Sequence, residues 1–158
     1  MKYLLAILFI LSLTAIADDF TFHIRMDNAQ IEEVIIGCSE KATDQYDKRL
    51  DVFAPPMSMG TAIAGLLLDR QSQMLLYKDI RSAKLPQTWL LDCKLEQKMP
   101  LTLKWEVAKL PQGLFCTIQP PKQQPLDMRK TSKCKINESG IVTITFTKTP
   151  TEKTSEQK

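Results

Sequence analysis

The chain has 158 residues, of which 44% are hydrophobic and 25% charged, with 5 Gly, 9 Pro, 4 Cys and 1 His. These proportions exclude collagen-like, coiled-coil and wholly disordered chains, and the length suffices for one domain with a core but not for two independent ones. The sequence contains no glycine-rich phosphate loop, no GxSxG or HExxH motif and no CxxC pair, so it predicts neither a cofactor nor a metal site.

Residues 1–17 have the pattern of a cleaved signal peptide. Lys2 supplies the positive charge, a predominantly apolar stretch follows, and Ala15-Ile16-Ala17 places small residues at positions −3 and −1 of a cleavage site. As a helix, residues 3–17 would reach only about 22 Å, against roughly 30 Å for the hydrocarbon core of a bilayer. We therefore expect a mature chain that begins at Asp18, has no membrane span and is exported to the periplasm or secreted.

The first part of the mature chain predicts a strand followed by a helix. Residues 20–26 alternate strictly between apolar and polar, which is the pattern of a half-buried strand. Asp27 then has capping-box spacing to Gln30, and the next apolar residues recur at helical period. Residues 28–43 are therefore predicted to form an amphipathic helix with Cys38 on its buried face.

A second helix is predicted further along. Residues 50–54 have the composition of a short strand, which the two prolines after it would close. Residues 58–68 are apolar on nearly every side, so they are predicted to form a deeply buried helix. Residues 74–77 fit either a continuation of that helix or a strand.

The segments FTFHIRM, the predicted capped helix, the apolar helix and LLYKD together resemble the βαβ modules of secretin-type periplasmic domains in secretion and pilus machines. The resemblance spans residues 20–79 and rests on the hydrophobic pattern. It implies a component of an envelope assembly, and it identifies no functional residue.

The hydrophobic period changes to 2 in the second half of the chain. Alternating apolar residues predict five short strands, with a turn at Pro111-Gln112-Gly113 where glycine permits a positive φ. The strands are expected at Trp89–Leu95, Leu101–Val107, Leu114–Ile118, Cys134–Ile136 and Val142–Phe146. Their order along the chain predicts an antiparallel meander.

The predicted fold class is α+β. A single domain over residues 18–148 is expected, in which the strand and two helices of the half 18–80 pack on the five-stranded meander of the half 85–148. Residues 149–158 are rich in Thr, Lys, Glu, Ser and Gln and are predicted to form a disordered polar tail.

An even number of cysteines in an exported chain predicts disulfides. Cys116 and Cys134 lie on consecutive strands of the meander and share the apolar parity, so we expect them to pair. The second disulfide would then join Cys38 to Cys93 and fasten the first helix to the sheet.

Charge is divided unevenly between the two halves. Residues 18–80 hold 11 acidic and 6 basic side chains, whereas residues 81–158 hold 7 acidic and 14 basic ones. Near the proline-rich loop at 120–125, the basic residues are Lys122, Arg129, Lys130, Lys133 and Lys135. Long loops are often functional, and a basic one suits an anionic partner. These residues are therefore predicted to bind a protein with an acidic surface, because export and the lack of aromatics in the loop disfavour nucleic acid.

Three functions follow as alternatives. The favoured one is an exported, non-enzymatic protein that binds another protein, as an inhibitor or as an immunity protein against a delivered toxin. The second is a periplasmic component of a secretion or pilus assembly. The third is a small secreted hydrolase, which would need a deep pocket around His23 or a carboxylate pair. The parity of His23 places it on the polar face of the first strand, as expected of an ordinary surface residue.

Overall fold

The computed structural model describes residues 17–56, 62–71, 73–96 and 99–149. Within these residues the chain forms eleven β-strands and one 3₁₀ turn at Val107–Lys109, and it forms no α-helix. The strands are β1 (Phe20–Asp27), β2 (Glu33–Ser39), β3 (Val52–Phe53), β4 (Ile63–Leu67), β5 (Leu75–Ser82), β6 (Gln87–Lys94), β7 (Leu101–Lys104), β8 (Leu114–Gln119), β9 (Leu126–Asp127), β10 (Lys133–Ile136) and β11 (Gly140–Lys148).

All of these strands belong to one sheet. Its order is β10-β7-β1-β2-β5-β4-β6-β11-β8-β9, with β3 paired to β5 beside this path. Neighbouring strands are antiparallel except β2 and β5, which are parallel. The two halves of the chain are interleaved, because β1 pairs with β7 and β4 pairs with β6.

The sheet curls so that its inner face encloses the core. Phe22 of β1 and Phe146 of β11 are not on neighbouring strands, yet their ring centroids lie 6.0 Å apart in an edge-to-face contact. Phe146 also meets Trp89 edge-to-face at 5.4 Å, and both side chains are fully buried. Aromatic pairs in this arrangement add to the stabilisation that burial supplies.

The segment between β9 and β10 joins the two ends of the curled sheet. Trp105 follows β7 directly, and its indole Nε1 donates a 2.9 Å hydrogen bond to the carbonyl of Met128. Its backbone N–H donates to the carbonyl of Ser132 at 2.9 Å. Met128 in turn donates its own N–H to the carbonyl of Cys116 in β8. These bonds connect β7 to β8 through a single short stretch of backbone.

The α+β prediction is wrong, and the first predicted helix shows why. Residues 28–43 contain β2 instead, in which Val34, Ile36 and Cys38 are buried at period 2. The intervening Ile35 is half-buried, so the same apolar run also satisfied the helical period. Val and Ile favour strands because their branched side chains pack well on a pleated surface. The resemblance to a βαβ module fails at this same segment.

The second predicted helix is also wrong. Its last residues form β4, with four consecutive buried positions from Ala64 to Leu67, while 57–61 lie outside the described residues. β4 lies in the interior of the sheet between β5 and β6 and is covered on both faces. A short strand buried on both faces is apolar throughout, and periodicity does not distinguish it from a buried helix. Residues 75–77, whose sequence fits either a helix or a strand, belong to strand β5.

The second half contains strands wherever alternation predicts them, but they do not form a meander. β11 inserts between β6 and β8, whereas β7 and β10 lie at the far end of the order beside β1. A meander would place β7 and β10 beside β8, but both lie far from β8 in the observed strand order. The turn at Gly113 does adopt the expected positive φ of 71°.

The prediction of two disulfides is wrong for this structure. Cys38, Cys93, Cys116 and Cys134 are all buried as free thiols. The pairing of Cys116 with Cys134 assumed that β8 and β10 are neighbours, and the pairing of Cys38 with Cys93 assumed a helix packed on the sheet. Neither arrangement exists, and all four side chains instead fill apolar positions of the core.

The predicted leader lies outside the described residues except for Ala17. This residue is buried, and its N–H donates a 2.7 Å hydrogen bond to the carbonyl of Ala83. Of the predicted tail, the structure describes Thr149 alone. Across the described ranges, no helix has the length and apolar character required to cross a membrane.

Candidate functional site

The five predicted partner-binding residues differ in the contacts that they make. Lys122 and Lys130 are highly exposed, and each forms an ion pair. The Nζ of Lys122 lies 2.7 Å from a carboxylate oxygen of Glu138, and the Nζ of Lys130 lies 3.8 Å from one of Asp127. Exposed pairs of this kind contribute about 0–1 kcal/mol, so both lysines remain available to a partner.

Arg129 has a structural role. Its guanidinium donates hydrogen bonds to the carbonyl of Pro111 and, through Nη2 at 3.1 Å, to that of Leu114. Its backbone N–H donates to Asp127 at 2.9 Å. The partly buried side chain therefore ties the segment after β9 to the turn before β8 instead of presenting a free cation.

Lys133 and Lys135 join a different group of cations. They occupy the exposed positions of β10, and the register places Lys133 opposite Lys104 of β7. Lys104 in turn lies opposite Arg25 of β1. We call Lys133, Lys104 and Arg25 the basic row, since they stand side by side on three neighbouring strands of the outer face.

The basic row ends at an acidic residue. Arg25 lies opposite Glu33 of β2, so four neighbouring strands carry the charge order plus, plus, plus, minus. Like charges directly opposite each other in a sheet destabilise it, and cross-strand pairs contribute roughly 0.2–1 kcal/mol each. An energetic cost at two successive pairs is the kind of feature that binding an anionic partner would relieve.

Acidic neighbours compensate the basic row only in part. The Nζ of Lys104 lies 2.5 Å from a carboxylate oxygen of Asp27, and both side chains are about half exposed. Within the described residues, Arg25, Lys133 and Lys135 form no ion pair closer than 4.0 Å. The outer face of β10, β7 and β1 thus retains unneutralised positive charge.

A shallow groove of about 210 Å³ lies beside the basic row. The groove is lined by the almost fully buried Phe22 and Trp105 and by six polar or charged residues: His23, Arg25, Glu33, Lys104, Glu106 and Lys109. A hydrogen bond from Lys109 and the charge of that lysine lower the pKa of Glu106, and the nearby charge of Arg25 acts in the same direction. The groove therefore brings cationic and anionic side chains together.

His23 lies beside a carboxylate in the groove. The groove lining includes no serine, threonine or cysteine. The Nδ1 of His23 lies 3.1 Å from a carboxylate oxygen of Glu33, and the His23 side chain is 48% exposed. This geometry agrees with the surface role that its parity predicts.

The four thiols are poorly suited to covalent chemistry. Burial raises the pKa of Cys38 and of Cys93 to about 12. Burial likewise raises the pKa of Cys116 and of Cys134 to about 11. The thiolate is the nucleophilic form, and at neutral pH it is a minute fraction of such groups. No cluster of three or more His, Cys, Asp or Glu side chains in the described part of the chain is arranged to hold a metal ion.

No protein family, curated protein or solved structure matches this chain.

Sequence reasoning proposed Lys133 and Lys135 as partner-binding residues, but it did not consider Arg25 and Lys104, which the register aligns with Lys133. Alternation in β1 and β7 shows that both residues lie on polar faces, which is a usable signal for exposure. It does not show that β1 and β7 are neighbours, because their pairing is remote along the chain. The basic row exists only once that pairing is known.

Proposed function

We propose that the protein is an exported, non-enzymatic binding protein whose basic row contacts an acidic surface of another protein. The observation that supports this most directly is the register that aligns Lys133, Lys104 and Arg25 across three strands. An inhibitor or a toxin-immunity protein would act through such a surface. The signal-peptide pattern of residues 1–17 supports export.

The sheet gives the charges a fixed spacing. Neighbouring strands lie about 4.7–4.9 Å apart, so the backbones that carry the three cations are held in a regular array. A preorganised array loses less conformational freedom on binding than the same residues on a mobile loop. Clustered charge also accelerates encounter with an oppositely charged surface, and salt weakens this effect.

Two matched double variants test the proposal. Arg25→Gln with Lys133→Gln removes two cations of the basic row that form no ion pair in the described structure. Lys122→Gln with Lys130→Gln removes two exposed cations that do not belong to the basic row, so both proteins lose the same net charge. Partners captured from the native envelope by the parent protein are identified by mass spectrometry and purified, and their affinities for all three proteins are then measured at low and high salt.

We expect the variant of the basic row to bind the partner several-fold more weakly than the parent at low salt, with a smaller difference at high salt. The control variant should bind like the parent. Equal binding by all three proteins would contradict the proposal. Weakening by the control alone would instead assign partner binding to the surface around Lys122 and Lys130.

A further inference from the structure

We infer that the basic row, together with Glu33, recognises one face of an acidic α-helix of the partner. The inference rests on the proposed function and specifies the shape of its ligand. Its basis is the order of charges across β10, β7, β1 and β2, which the strand register sets.

The charge order predicts the order of charges on the partner. A carboxylate is the complementary group for each cation of the basic row. A cation is the complementary group for Glu33, which ends the series. The complementary ligand therefore carries three acidic side chains in succession and then a basic one, all on one side.

The spacing favours a helix over an extended segment. Three steps between neighbouring strands at about 4.8 Å span roughly 14 Å. Helix positions i, i+4, i+7 and i+11 share a face and span about 16 Å at 1.5 Å per residue. Four alternate residues of an extended segment span about 20 Å, which exceeds the array by more than one strand spacing. Long Lys and Arg side chains absorb a mismatch of about 2 Å more readily than one of 6 Å.

The existing ion pairs do not block such a ligand. Asp27 contacts Lys104, and His23 contacts Glu33, but all four side chains are between about one-third and one-half exposed. Pairs this exposed are weak and are readily exchanged for contacts with a partner. Lys133 has no ion pair among the described residues, so it is the cleanest position for a charge reversal.

Two synthetic peptides of identical composition test the inference. Both are alanine-rich 17-residue helices, and circular dichroism must show equal helicity. The matched peptide carries glutamate at its third, seventh and tenth positions and lysine at its fourteenth, whereas the scattered isomer distributes these four residues around the helix. Each is labelled and titrated with the mature chain at low salt, and binding is followed by fluorescence anisotropy.

We expect the matched peptide to bind about tenfold more tightly than its isomer, which corresponds to about 1.4 kcal/mol. Lys133→Glu should abolish this preference, and replacing the first glutamate of the matched peptide by lysine should restore it. Equal binding of the two isomers would overturn the inference, as would heparin binding to the row when neither peptide binds.

The outcomes separate the inference from the proposed function. Equal binding of the isomers, with partner capture that still depends on Arg25 and Lys133, would contradict the inference of a helical ligand. It would leave the proposed binding function of the basic row intact. If neither peptide binds and partner capture ignores the basic row, both are wrong.

Discussion

Arg81 and Asp79 form a buried ion pair in which the Nε of the arginine lies 2.9 Å from a carboxylate oxygen of the aspartate. The two side chains are 12% and 1% exposed. The guanidinium also donates to the carbonyl of Thr88 at 2.7 Å and to that of Leu68 at 3.1 Å. In the sheet, β4 lies between β5 and β6. Arg81 therefore links β5 to β6 just beyond the end of β4.

Replacing Arg81 by methionine is predicted to destabilise the fold by about 3–5 kcal/mol, since it leaves a buried carboxylate without its cation. The carbonyls of Thr88 and Leu68 would also lose their donor. Urea unfolding monitored by tryptophan fluorescence measures the change. Lys84→Met, at an exposed position nearby, is the control and should change stability by less than about 0.5 kcal/mol. Similar stability of the two variants would contradict a structural role for the pair.

Asp79 is also predicted to make stability fall as pH rises. Burial raises the pKa of this carboxyl from 3.8 to about 6, although Arg81 opposes the shift. The folded state therefore holds the proton over a range in which the unfolded state has lost it, so the free energy of unfolding decreases between about pH 4 and pH 6. Above that range the contribution of this group is constant.

The test compares the parent with Asp79→Asn across pH. Asp44 acts in the opposite direction: despite some burial, hydrogen bonds from Ser82 and Gln87 lower its pKa, so its contribution is lost on acidification. Subtracting the two unfolding profiles removes this and every other shared contribution. The difference should change by roughly 2–3 kcal/mol between pH 4 and pH 6. A flat difference would show that Asp79 titrates normally.

Sequence reasoning identified strands where one face is buried and the other is solvated. β1, β6 and β11 alternate cleanly, and each was predicted within a few residues of its observed bounds. It failed for β2 and β4, where the neighbouring strands and the curl of the sheet bury more than one residue in two. In those segments the apolar pattern reports burial and carries no period that distinguishes strand from helix.

The order of strands was not accessible from the sequence. The meander assumed that consecutive strands pair, which is the commonest arrangement but not an obligatory one. Here β11 lies between β6 and β8, and the predicted pairing of Cys116 with Cys134 depended on the simpler order. Two of the three residues of the basic row were missed for the same reason, because Arg25 and Lys104 meet only through the pairing of β1 with β7.

All four cysteines are predicted to remain free and unreactive in the native protein. Burial raises the pKa of every one of these thiols to about 11 or 12, which suppresses the thiolate that exchange and oxidation require. A thiol reagent applied without reductant should label none of them rapidly in the folded chain and all four after unfolding in urea. Recovery of only two reactive thiols after unfolding would show that a disulfide forms.

Gly37 is predicted to be intolerant of a side chain. It lies opposite Thr21 in the pairing of β1 with β2, and a Cβ there would overlap the carbonyl oxygen of Phe20 and lie 3.1 Å from the Cα of Thr21. Because these are backbone atoms of a neighbouring strand, Gly37→Ala should cost about 3 kcal/mol or prevent folding, at the upper end of overpacking effects.

The control for Gly37 is Gly113→Ala, since Gly113 has open space around it and only its positive φ of 71° resists a side chain. That strain is worth about 1–2 kcal/mol. The two variants are compared by thermal unfolding, and a larger loss at Gly113 would contradict the close approach of β1 and β2.

The mature chain is predicted to begin at Asp18 and to keep its first strand in place after cleavage. Removal of Ala17 loses one hydrogen bond to Ala83, worth about 1 kcal/mol, and a small buried methyl group. Asp19 remains, and its carboxylate accepts hydrogen bonds from the hydroxyl of Ser39 at 2.9 Å and the N–H of Glu40 at 2.7 Å. These bonds fasten the new terminus to the end of β2.

Intact-mass measurement of the exported protein tests the cleavage site, and a chain that retains Met1 would contradict it. Asp19→Ala in the mature protein tests the anchor. It removes both hydrogen bonds, so amide exchange at the start of β1 should become faster while exchange in β11, at the centre of the core, stays unchanged. Unchanged exchange at Thr21 and Phe22 would show that pairing with β2 alone holds the terminus.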